Sequence, residues 1–132
     1  MTPLSLPSVP DSVSRAVELA EAAARRAGLP DAAVIRVGLA TGEAVANAVE
    51  HGNAGVADQD VLVSLKASSG RLDVDVEDHG GGVAPEALTD AALPVDPLRT
   101  DGRGLFLIRE LTDEASVNGS LVRLTFVARA GE

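Results

Sequence analysis

Apolar residues recur along this chain in two rhythms, one near 3.6 residues and one of two, and the switches between them mark out the elements. Leu4-Ser5-Leu6 lies between Pro3 and Pro7 and predicts at best an edge strand, since proline cannot donate to a ladder. Val13, Ala16, Val17, Ala20, Ala24 and Ala27 follow helical spacing, with Asp11 or Ser12 as cap, Gly28 as stop and Pro30 beyond it. A second helix is predicted from Asp31, its cap, to about Glu50, with His51-Gly52 as its end. Gly55–Asp60 reads as a loop, after which the rhythm changes to two. Val61, Val63 and Leu65 alternate with Leu62, Ser64 and Lys66, and Leu72, Val74 and Val76 with Asp73, Asp75 and Glu77. Ser68-Ser69-Gly70 joins these strands as a hairpin. Gly80–Asp101 reads as a long loop with one helical turn at Pro85–Ala91, and Gly104–Leu111 as a short helix. Asn118-Gly119 is a hairpin turn between Glu114–Val117 and Leu121–Ala128.

The order β–α–α–β–β–loop–α–β–β predicts an α+β fold. Its form is a two-layer sandwich: a mixed, mostly antiparallel sheet with helices on one face. A length of 132 residues suits one domain over 1–132. The hydrophobic share of 45% supports a core, and an aromatic share of 2% makes that core aliphatic and leaves almost no base-stacking platform. The absence of cysteine removes disulfides, thiolate zinc sites and cysteine nucleophiles. A net charge of −9 does not suit a phosphate backbone, so no direct nucleic-acid partner is expected. Met1–Pro10 lacks the basic-then-apolar pattern of a leader, and no run approaching the ~18 apolar residues of a membrane span is read. The expectation is a cytoplasmic protein without membrane contact.

Three groups of residues carry candidate chemistry. On the second helix Val34, Val37, Gly38, Thr41, Val45 and Ala48 share one side, and Glu43, Asn47 and Glu50 the other. At ~100° per residue, Asn47 lies only about 40° around from Glu43 and one turn along. A carboxylate and an amide so placed suit a hydrated magnesium ion or a hydroxyl to be deprotonated; they equally suit a solvated polar face. Asp78 has the parity of Leu72, Val74 and Val76, which carries a carboxylate towards the core unless the strand stops at Glu77. Gly80-Gly81-Gly82 follows, open to close ligand approach. Gly102-Arg103-Gly104 precedes a helix whose free N–H groups suit phosphate, with Arg103 and Arg99 as added charge. No Gly-Lys-Ser/Thr is present and neither glycine cluster completes Gly-x-Gly-x-x-Gly, so Walker and dinucleotide readings are disfavoured.

In this order Glu43-Ala44-Val45-Ala46-Asn47-Ala48, Asp78-His79-Gly80-Gly81-Gly82 and Gly102-Arg103-Gly104-Leu105 resemble the motifs of the GHKL ATPase superfamily, over about residues 4–128. Within it, EAVANAVEHG and GRGLFLIREL are most similar to the anti-sigma factor serine/threonine kinases. The resemblance implies a Bergerat-type ATP-binding fold with an ATP lid at about 83–101. It implies that Asn47 coordinates Mg²⁺, that Glu43 is general base on a substrate hydroxyl, and that Asp78 accepts from the adenine amino group. Gly80 and Gly82 would admit the base, and Gly102, Arg103, Gly104 and Leu105 would hold the phosphates. The family usually has Gly-Thr in its last hairpin; here Gly119-Ser120 keeps the hydroxyl without the methyl. The implied function is an ATP-dependent kinase that sequesters a sigma factor and phosphorylates a Ser or Thr of a STAS-type anti-anti-sigma protein, with a homodimer expected. The alternatives are a stand-alone histidine-kinase-type catalytic domain and a non-catalytic nucleotide-binding anti-sigma factor.

Overall fold

The computed structural model describes residues 3–52, 59–79 and 103–132, with the backbone alone at 51, 52 and 103–105. Five strands form one sheet: β1 (Leu4–Leu6), β2 (Val61–Ser68), β3 (Arg71–Glu77), β4 (Glu114–Asn118) and β5 (Leu121–Val127), in the order β1-β2-β3-β5-β4. All four pairings are antiparallel. Three α-helices complete the described fold: α1 (Asp11–Arg26), α2 (Asp31–Asn47) and α3 (Arg103–Leu111). This is the expected α+β sandwich.

The period of two accounts for the sheet. Registers such as Val63↔Val76↔Val122↔Val117 and Leu65↔Val74↔Leu124↔Ala115 stack apolar rows on the inner face. Leu72, Val74, Val76, Leu124 and Phe126 are buried there, and α1 and α2 pack over them. The intervening residues form a polar outer face. Asp75 stands opposite Arg123, whose Nε and Nη2 donate to it at 2.8 Å each, and Thr125 Oγ1 donates to Asp73 at 2.6 Å. Gly70 and Gly119 turn the two hairpins at φ +75° and +62°, the left-handed region in which a Cβ is strained.

Alanine makes the helical layer thin. Ala16, Ala20, Ala23 and Ala24 of α1 are buried, and a Cβ on Gly42 of α2 would lie 3.3 Å from Val17 Cγ2. Small side chains thus bring α1 and α2 close. The expected caps are not the ones used. Pro10 and Pro30 occupy the N-cap positions without a side-chain cap bond, so Asp11 and Asp31 are first-turn residues that act through the helix dipole. Ser12 Oγ instead donates to the Pro7 carbonyl at 2.6 Å. The helical stretch reaches Glu50 as expected; against the expectation of no run near a membrane span, its 20 residues are apolar enough, by composition, to cross a bilayer, but most of that stretch is buried against the rest of the fold. Ile35 and Leu39, 59% and 56% exposed, are its large outward apolar residues.

Arg36 ties α2 to the rest of the molecule. It is 7% exposed. Its Nε and Nη2 fork onto the Glu132 carboxylate at 2.7 and 2.8 Å, and Nη2 also donates to the Val127 carbonyl at 2.8 Å. Its Nη1 donates to the Leu111 carbonyl at 2.8 Å and to Asp113 at 3.2 Å. Every N–H of the guanidinium is thereby used.

Candidate functional site

Glu43 and Asn47 sit one turn apart in the second half of α2, both half-buried, while Glu50 is exposed. The fold thus partly covers the first two and leaves the third open. Directly after Asn47 the helix widens into a π turn, Ala48–Gly52, and the Ala48 N–H is shared between the carbonyls of Ala44 and Val45. Such changes of pitch are frequent at functional positions.

β3 ends at Glu77, and Asp78 follows as a half-buried residue just beyond the ladder. Its N–H nevertheless donates to the Ser120 carbonyl at 3.2 Å, extending the Glu77↔Leu121 register by one residue. Asp78 and Ser120, far apart in sequence, are therefore neighbours across the mouth of the β3–β5 pair. The hairpin turn at Gly119 is what presents Ser120 there.

Two connections bring α2's second half towards that same end of the sheet. Arg36, near the start of α2, is bonded to Val127 at the far end of β5. The chain then runs from the π turn into β2, whose Leu62 pairs with Glu77, next to Asp78. Glu43 and Asn47 thus lie farther along α2 from the Val127 contact, while Asp78 and Ser120 lie at the end of the β3–β5 pair opposite Val127. Arg103, Gly104 and Leu105 form the first turn of α3, which begins one residue earlier than its sequence suggests. Gly80, Gly82, Arg99, Gly102 and the loop about 83–101 lie outside the described residues.

Chemically, the described part of the candidate site offers a carboxylate and an amide one turn apart, and a second carboxylate beside a serine. The amide oxygen fits magnesium, which keeps most of its waters and takes one or two protein ligands together with substrate phosphates. An acceptor-only carboxylate at Asp78 fits an exocyclic amino group.

Sequence reasoning passed over Arg36 and the hydroxyl of Thr41. Arg36 left a signal, a cation between Ile35 and Val37 in an otherwise apolar run, but its partners lie at the other end of the chain. Thr41 is fully buried, and among the described residues its Oγ1 is a buried side-chain atom with no hydrogen-bond partner.

A family model described as the histidine kinase-like ATPase domain matches residues 6–126. No curated protein matches the chain.

Proposed function

The chain belongs to the histidine kinase-like ATPase domain family, and from that premise we propose that it is a serine/threonine protein kinase of the anti-sigma factor type. It binds ATP with Mg²⁺, holds a sigma factor, and phosphorylates a Ser or Thr of a STAS-type antagonist to reset the switch. The half-buried pair Glu43 and Asn47 carries this reading. A carboxylate kept beside an amide at the drawn-in end of α2 suits a reaction in which a neutral hydroxyl has to lose its proton. Asn47 holds the ion with its amide oxygen, and bound Mg²⁺ neutralises charge on the phosphates. Glu43 orients the partner's hydroxyl and accepts its proton as the oxygen–phosphorus bond forms and the bond to the ADP leaving group breaks. Asp78 accepts from the adenine amino group, with the Ser120 hydroxyl beside it. The first turn of α3 directs its free N–H groups to the phosphates. The protein acts in the cytoplasm as a homodimer.

The test measures ATP affinity, sigma-factor binding and phosphotransfer on a single variant, Glu43→Gln. Nucleotide and sigma binding are expected to persist while transfer falls about 10²-fold, the lower end for a general base because loose phosphoryl-transfer transition states need little base help. Transfer at the parent rate overturns the role of Glu43. A parent protein that binds ATP but leaves every STAS protein unmodified favours the non-catalytic reading.

A further inference from the structure

Three polar residues of α2 share one direction, with the buried Ala40 between the first and second. At ~100° per residue, Glu43 and Asn47 each fall within about 20° of the direction of Arg36, at spacings of seven and eleven residues. Arg36 grips the last turn of α3 through the Leu111 carbonyl, and α3 packs along α2. Arg36 lies in the first third of α2, so α3 runs back along it in the opposite sense. Its first turn lies about 12 Å from Leu111, and Glu43 and Asn47 lie about 10 and 16 Å from Arg36, so the two distances match.

The last turn of α3 is held unusually firmly. Arg129 Nη2 donates to the carbonyls of Glu110 and Thr112 at 3.0 and 2.9 Å, which together with the Arg36 bond to Leu111 satisfies three successive carbonyls at the helix end. These are the groups a helix leaves without intrahelical partners, and cations there also complement the dipole. Asp113 joins the two arginines, accepting from Arg36 at 3.2 Å, from Arg129 Nε at 3.0 Å and from the Val127 N–H at 2.8 Å. Glu132 closes the network, accepting the Arg36 fork and the Arg129 N–H at 2.6 Å.

We propose that Arg36, locked by Asp113 and Glu132, is a positioning residue: it sets the axial register of α3 against α2 and so places the α3 first turn opposite Glu43 and Asn47. This rests on the nucleotide reading above and adds the way its phosphate end is kept in line. The base end does not depend on the clamp, because Asp78 and Ser120 are joined through the sheet ladder.

The experiment compares Mg-ATP with adenosine, which lacks phosphates, on the full chain, by calorimetry. The variants are Arg36→Lys, which keeps the charge but not the fork, and the milder Glu132→Gln, which keeps the fold should Arg36→Lys lose it. Each is checked for cooperative melting. ATP affinity is expected to fall about tenfold or more, the scale of a small misplacement, with adenosine affinity unchanged. Equal loss for both ligands, or no loss for either, overturns the positioning role. A parent that binds adenosine and ATP equally, or neither, overturns the nucleotide reading instead.

Discussion

Asn47 and Thr41 share α2 and face opposite fates. Asn47 is half-buried near the end of the helix, and within a turn on its face the only other oxygen-bearing side chain of α2 is the Glu43 carboxylate. Asn47→Ala is expected to abolish magnesium-dependent ATP binding, read by calorimetry with and without the ion; parent-like affinity in magnesium would take Asn47 out of the site. Thr41 is buried with an unpartnered hydroxyl, a situation that costs about 1–3 kcal/mol. Thr41→Val keeps the shape and removes the polar atom, so chemical denaturation should show a gain of about 1 kcal/mol or more. A loss of stability would mean that the hydroxyl is satisfied in solution. For Thr41 the burial was legible beforehand and the orphaned hydroxyl was not. A threonine among valines reads as core, and nothing local says whether its hydroxyl finds a partner.

Among the elements, the hairpins were legible to within a residue, because strict alternation and a turn glycine act over a few positions. The Val61–Ala67 and Arg71–Glu77 strands return as Val61–Ser68 and Arg71–Glu77. The helix ends were less legible: prolines precede both α1 and α2, and the polar residues that promised caps became first-turn residues or turned to other carbonyls. The π turn after Asn47 left no local signature either, since Ala48 and Val49 are buried like any helical core residues. The close approach of α1 and α2 depends on Gly42. Gly42→Leu gains up to about 1 kcal/mol of helix propensity. Its branched side chain must displace Val17, and overpacking of this kind costs about 1–3 kcal/mol, so a net drop in melting temperature is expected. An unchanged melting temperature would show that the two helices separate freely.

At the level of the whole molecule, acidity should loosen the fold from the clamp end. The Arg36 fork holds Glu132 down to about 2 from an ordinary 4.5, against a smaller opposing effect of burial and with help from the Arg129 N–H. Burial disfavours the charged form of Asp113, but the Val127 N–H, Arg129 and Arg36 together outweigh it and lower its pKa. Both folded-state values lie below the unfolded ones. The stabilisation from Glu132 is therefore complete above about pH 4.5 and is lost as the pH falls through about 2, and that from Asp113 is likewise lost on the acid side. Urea midpoints measured from neutral pH down to about 2 should decline across this window, and Glu132→Gln should start lower and decline less steeply. Equal slopes would place the acid sensitivity elsewhere. This long-range network could not be read from the sequence: Arg36, Asp113 and Glu132 meet only after the fold has formed.

The brevity of β1 has a bearing on colloidal behaviour. A strand of three residues between Pro3 and Pro7 covers only the beginning of β2, and the exposed Lys66 marks the part left uncovered. At the opposite margin β4 turns Glu114, Ser116 and Asn118 outward. Short margins, prolines and a lysine are the devices by which natural sheets refuse to grow from one molecule into the next. In a layer rich in valine, a residue of high β-propensity, these devices oppose edge-to-edge pairing between molecules.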